Sequence, residues 1–101
     1  MKLIYTTLND IAQAKLIAHE LLEKKLCNCV NILPITCIYN YEGQITDEPE
    51  VVMIIKTQDG YFEKVEAIIK SNIDFDNFIG QLNVDKVNSE FESWLGKIVS
   101  K

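Results

Sequence analysis

The spacing of apolar positions along this chain switches between two residues and about 3.6 residues, and each switch marks an element. Residues 3–7 are apolar and β-branched and read as a first strand. Asn9 or Asp10 then caps a helix, with Asp10 and Gln13 at capping-box spacing. Over residues 11–26, Ile11, Ala14, Ile17, Ala18, Leu21 and Leu22 fall on one helical face, opposite Gln13, Glu20, Glu23 and Lys24. Residues 29–41, rich in Val, Ile, Tyr and Thr, read as a long strand. Pro34 interrupts it, which calls for a bulge or a place at the sheet edge. Glu42-Gly43 is a turn, and residues 45–57 return as a second long strand ending in the run Val51-Val52-Met53-Ile54-Ile55. Asp59-Gly60 opens a second helix with Phe62, Val65, Ile68 and Ile69 on its apolar side. Residues 72–76 form a polar loop. Residues 78–84 then alternate, with Phe78, Gly80, Leu82 and Val84 on one face of a fourth strand. Ser89 and Glu92 have capping-box spacing for a last helix, whose stripe is Phe91, Trp94, Leu95 and Ile98.

The predicted order, β-α-β-β-α-β with a terminal helix, is that of a ferredoxin-like α/β sandwich, more strictly α+β, over the whole of residues 1–101. Two helices would cover one face of the sheet and leave the other face apolar and open, which is the mark of an interface. The central hairpin has arms of about a dozen residues, beyond the usual strand length. Its surplus would protrude and need a second subunit to cover it. A chain of 101 residues is one domain in size, and association is a natural way for it to bury more surface.

Charge narrows the partners. The net charge is −5, the pI is about 4.8, and no basic run exceeds Lys24-Lys25. Nucleic acid and anionic membrane are therefore excluded as expected partners. No segment approaches the roughly 20 apolar residues of a membrane span. The N-terminal residues run straight into a strand pattern without the features of a signal peptide, so a cytoplasmic location is expected. Three cysteines, Cys27, Cys29 and Cys37, make a disulfide framework an unsuitable reading.

Particular stretches resemble the CutA family of divalent-cation tolerance proteins. One is Leu26-Cys27-Asn28-Cys29-Val30-Asn31 followed by Pro34-Ile35-Thr36 and Ile38-Tyr39. The other is Tyr41-Glu42-Gly43-Gln44-Ile45 followed by Asp47, Glu50 and Lys56-Thr57. They are similar to the family's Leu-Ala-Ala-Cys-Val-Asn segment, its Tyr-x-Trp-Glu-Gly-Lys hairpin turn and its Lys-Thr, with Tyr41 where the family often has Trp. Thr6-Thr7, Asp10, Ala14 and Ser93-Trp94-Leu95 also fit. The resemblance implies a homotrimer, with no required cofactor, associated with tolerance of copper or another divalent cation. One departure is plain. Where the family carries a His-Pro-Tyr-Glu-x-Pro-Glu loop after the second helix, this chain has Asn72-Ile73-Asp74-Phe75-Asp76-Asn77-Phe78-Ile79. A Cys that some bacterial members carry late in the first strand corresponds here to Thr6.

Candidate chemistry is sparse. Cys27 and Cys29 are the only local thiol pair. On a strand both sulfurs would point to one face and suit Cu(I), whereas the plainer reading makes them small hydrophobes at a helix end and a strand start. Cys37 shares the face of Cys29 only if Pro34 makes no bulge. His19 is the only histidine and lies at the edge of the first helix's buried face, which leaves no pair of imidazoles in one chain for a metal or a catalytic triad. Asp47, Glu48, Glu50, Asp74 and Asp76 are loop and hairpin carboxylates that either hold a hard cation or face solvent. Tyr39, Tyr41 and Trp94 are the expected interface aromatics. No nucleophile–base pair and no phosphate loop are visible, so no enzyme is expected. Two functional readings stand: a cation-tolerance protein that binds metal, and a trimeric signalling or binding module, similar in architecture to the PII regulators, that takes a small ligand or partner between subunits.

Overall fold

The computed structural model describes residues Met1–Lys101. Its elements are β1 (Lys2–Leu8), α1 (Ile11–Glu23), β2 (Cys29–Tyr41), β3 (Gln44–Thr57), α2 (Phe62–Ser71), β4 (Ile79–Asn83) and α3 (Ser89–Ile98). The four strands form one antiparallel sheet in the order β2-β3-β1-β4, which is the expected α+β arrangement.

Alternation along the strands sorts the two faces. Ile4 and Leu8 of β1 and Val51, Met53 and Ile55 of β3 point to one side. There they pack with Ala14, Ile17, Ala18 and Leu21 of α1 and with Val65 and Ile69 of α2. All of these are nearly or fully buried, and at about 1.5–3 kcal/mol per large apolar side chain they dominate the stability of the fold. The other face carries Leu3, Tyr5 and Thr7, which are only partly buried. It meets α3 at one end, where the Lys56 ammonium lies 5.3 Å from the centre of the Phe91 ring.

Local chemistry sets the boundaries. Asp10 caps α1 as expected, its carboxylate accepting from the Gln13 backbone N–H at 2.8 Å. The helix stops at Glu23, short of the expected Leu26. Lys25 turns to φ 57°, the Leu26 N–H reaches back to the Leu21 carbonyl and the Lys25 N–H to that of Leu22. This is a Schellman closure, and it tucks Leu26 beneath the helix end. The Ser89–Glu92 box does not form. Asn88 takes the cap position of α3 and its side chain turns to Glu90 instead. Pro34 makes no bulge: register runs unbroken from Cys29 opposite Lys56 to Tyr41 opposite Gln44, and β2 accommodates the proline by lying at the sheet edge.

β1 pairs with β3 only from Val51 to Thr57, so residues 44–50 have no neighbour but β2. The hairpin therefore leaves the sheet as a two-stranded ribbon. Thirteen paired positions at about 3.4 Å each span about 44 Å, close to the longest dimension of the molecule, 46 Å. Glu42 and Gly43 close it with both φ angles positive, 50° and 81°, the geometry of a two-residue hairpin turn.

Candidate functional site

The ribbon and the loop that precedes β4 flank an open cleft of about 670 Å³. Hydrogen bonds at the end of β1 fix the loop wall. Thr6, fully buried on the helix-facing side of β1, donates its hydroxyl to the Phe78 carbonyl at 2.8 Å. The Asn77 amide donates back to the Thr6 hydroxyl at 2.9 Å and to the Thr7 carbonyl at 2.8 Å. A buried hydroxyl needs such partners, so these bonds define where the loop sits. Phe78 then folds its ring over Gly80 and meets Tyr5 edge-on, with ring centroids 6.0 Å apart.

The hairpin wall presents Cys37, Tyr39 and Tyr41 from β2 and Glu48 and Glu50 from β3. Tyr39 donates its hydroxyl to the Glu48 carboxylate. That bond stabilises the protonated phenol and, with desolvation, pushes its pKa up to about 12. Partial desolvation, followed by the charge of Glu50, also holds the Cys37 thiol above its usual range. Asp74, Phe75 and Asp76 face these groups from the loop.

Of the expected interface aromatics, Tyr39 and Tyr41 come together, their centroids 6.5 Å apart and their planes at 73°. Trp94 does not join them. It is about half exposed on α3, edge-on to Phe91. Phe91 sits against Lys56 at the base of the hairpin, whereas Tyr41 is at its tip, about 40 Å away along the ribbon.

The thiol pair is divided. β2 begins at Cys29, so Cys27 lies before the strand and the two-residue spacing gives no common face. Cys27 is fully buried in the apolar core, where burial pushes its thiol up to about 11. Cys29 is half-buried opposite Lys56. His19 is exposed on α1. No group of three His, Cys, Asp or Glu side chains converges in a way that could hold a metal ion. The donor set of one chain thus does not fit an enclosed divalent-cation centre, which needs three or four protein ligands for zinc and more oxygens for calcium.

Sequence reasoning did not single out Thr6 and Asn77 as the residues that build the cleft. Thr6 carried a usable signal, since it falls between Ile4 and Leu8 on the core side of β1 and must find a buried partner. Asn77 carried none.

Comparison with known proteins bears on the whole chain. The model of the CutA1 divalent ion tolerance protein family matches residues 2–97. A divalent-cation tolerance protein CutA of Archaeoglobus fulgidus is 35% identical over 97 residues, which covers 95% of this chain and 95% of the relative. That of Thermococcus kodakarensis is 32% identical over 98 residues, 96% of this chain and 94% of its own. Among solved structures, CutA1 of Pyrococcus horikoshii aligns over 100% of both chains with a TM-score of 0.92 and 29% identity. The Archaeoglobus fulgidus protein, described as a periplasmic divalent cation tolerance protein, aligns over 97% of this chain and 98% of its own, with a TM-score of 0.92 and 34% identity. Fold and sequence agree over nearly the whole chain, and the chain belongs to the CutA1 divalent ion tolerance family.

Proposed function

We propose that this chain works as a homotrimeric cation-tolerance protein and binding module, not as an enzyme, with its working surface formed where the hairpin of one copy meets its neighbours. The ribbon carries this reading. Residues 44–50 have one strand partner, and Ile38 and Ile45 stand 65% and 82% exposed on it. A lone two-stranded ribbon is marginal in water, so its length and apolar dressing call for a second chain. Tyr41 and Trp94 lie at opposite ends of the molecule, which suits head-to-tail contacts that close into a ring. Light scattering coupled to size exclusion tests this: a mass of three chains is expected, and a monomer at micromolar concentration overturns it.

The names of the relatives support a role in cation tolerance. For copper, Cys27 and Cys29 are the only thiols close in sequence, and because they share no strand face, a Cu(I) site on them would require Cys27 to leave the core. Thiolate binding would have to displace a proton from the buried Cys27, so affinity falls as pH drops. A Cu(I) titration of the wild type against Cys27→Ser/Cys29→Ser decides it, since unchanged stoichiometry in the double variant removes the site. All three cysteines are free, which suits a reducing compartment such as the cytoplasm. Recovery of the protein in a periplasmic fraction would contradict that.

A second reading is favoured by the cleft. Its walls are prearranged by hydrogen bonds, yet its carboxylates and thiol form no metal-binding group. It suits a small ligand better than a bare ion, as expected of a trimeric module of PII-like architecture. Native mass spectrometry of the purified protein reports the number of chains and any bound ligand together, and a ligand-free trimer that no small molecule stabilises would count against it.

A further inference from the structure

The cleft brings together two chemistries. Four aromatic rings line it, Tyr39 and Tyr41 from the hairpin and Phe75 and Phe78 from the loop. Four carboxylates join them, Glu48 and Glu50 from β3 and Asp74 and Asp76 from the loop. No lysine is among the lining residues, and the chain contains no arginine. The cleft is thus a concavity of about 670 Å³ with negative groups on both walls and no cation of its own. The raised thiol of Cys37, desolvated and facing Glu50, agrees with a negative potential there.

Carboxylates alone would attract any cation. The rings make the distinction. Tyr39 and Tyr41 stand at 73° to each other, so they form two adjacent walls of a corner rather than a stack. Ring faces attract an ammonium group through their quadrupole and cover its methylene or methyl surface. A hard divalent ion gains little from such a surface and asks instead for converging oxygens, which do not converge here. The corner is also held in place. Glu48 fixes Tyr39, and the Thr6–Asn77 bonds fix the loop that carries Phe75 and Phe78. Prearranged walls lower the ordering cost of binding.

We propose that this cleft binds an organic ammonium ion, a primary or quaternary amine with an aliphatic body, in preference to a metal ion. The proposal rests on the reading of the protein as a ligand-binding module and names the ligand class. Charge from the four carboxylates draws the amine in, and the corner of Tyr39 and Tyr41 selects it over an inorganic ion.

The assembled protein is titrated with spermidine, tetramethylammonium chloride and magnesium chloride, followed by calorimetry and by the aromatic NMR resonances. Saturable shifts of Tyr39, Tyr41 and Phe75 with both organic cations are expected, and magnesium at the same concentration should not displace them. Tyr41→Leu, at an exposed position near the turn, should weaken both by about 2–5-fold, the scale of one exposed cation–π contact. Phe75→Leu on the opposite wall serves as the second variant, and light scattering of each confirms the assembly. The proposal is overturned if tetramethylammonium leaves the rings unmoved, if magnesium competes as well as the amines, or if both variants bind like the wild type. A different ligand found in the cleft, such as an anion, would end the ammonium assignment and leave the module reading intact. A cleft that responds to no small molecule would end both.

Discussion

Thr6→Val is the sharpest test of how the cleft is built. The substitution keeps the β-branched shape and removes one hydroxyl. That hydroxyl donates to the Phe78 carbonyl at 2.8 Å and accepts from the Asn77 amide at 2.9 Å. Two hydrogen bonds at about 1 kcal/mol each give a loss of about 2 kcal/mol. Their partners are only part-buried and can rehydrate, which lowers the expected net loss to about 1–2 kcal/mol. Thr6→Ser is the control. It keeps the hydroxyl and loses a methyl from a fully buried position, about 1 kcal/mol. The two variants are thus similar in stability but opposite in the loop. Urea denaturation at fixed protein concentration measures the first, and hydrogen exchange of the amides of residues 74–78 measures the second. Loop amides should exchange faster in Thr6→Val and stay protected in Thr6→Ser. A Thr6→Val protein with wild-type stability and wild-type loop protection would show that the loop is placed by something else.

Tyr39 should ionise late. Its phenol is raised by the bond to Glu48, so that part of stability is complete below about pH 10 and is lost as pH climbs through about 12. Ultraviolet titration of the tyrosinates should show a late phenol that moves down toward the ordinary range in Glu48→Gln, and the absence of any late phenol in the wild type would contradict this. Gly80→Ala should displace Phe78, because a Cβ there would lie 2.5 Å from the ring tip. Losing the edge contact with Tyr5 costs about 0.5–1.5 kcal/mol, and an unchanged near-ultraviolet dichroism spectrum would count against it. Asn28→Ala should stabilise the protein by about 1 kcal/mol, since both side-chain amide atoms are buried without a partner, and a lower urea midpoint would instead reveal a bound water or subunit contact there.

The elements were legible in the sequence because each buries a periodic face. The run 51–55 reads as the apolar end of a returning strand, and in the sheet that end of β3 lies between β2 and β1, with Val51, Met53 and Ile55 under the helices and Val52 buried on the opposite face. Local chemistry was less secure. Asp10 behaved as its spacing predicts, but Ser89 did not, since Asn88 took the cap and the helix began one residue earlier than the box requires. The parity argument for Cys27 and Cys29 failed at its premise, because the Schellman closure consumes residues 24–26 and the strand starts only at Cys29. The cleft was the least legible feature. It depends on residues 74–78 meeting residues 37–50, a non-local encounter set by sheet order rather than by any local pattern.

That encounter also ties the two roles proposed for the hairpin. Tyr39 and Tyr41 line the cleft and lie on the ribbon that a lone chain cannot cover. If copies meet along the ribbon as proposed, their contacts would fix the position of the ring corner, and an occupant of the corner would fix the ribbon in return. Linkage makes such coupling reciprocal: a ligand that binds the assembled form better than the free chain strengthens assembly by the same factor by which assembly strengthens binding. The Tyr39–Glu48 bond is the natural carrier, since it joins β2 to β3 beyond the last residue of β3 that β1 supports. Where the resemblance leads one to expect a His-Pro-Tyr-Glu loop, this chain has a segment whose Asn77 is tied to Thr6 and whose phenylalanines line the cleft, without a metal ligand set. The scaffold of a cation-tolerance protein is thereby kept, while the chemistry at its cleft is aromatic and acidic.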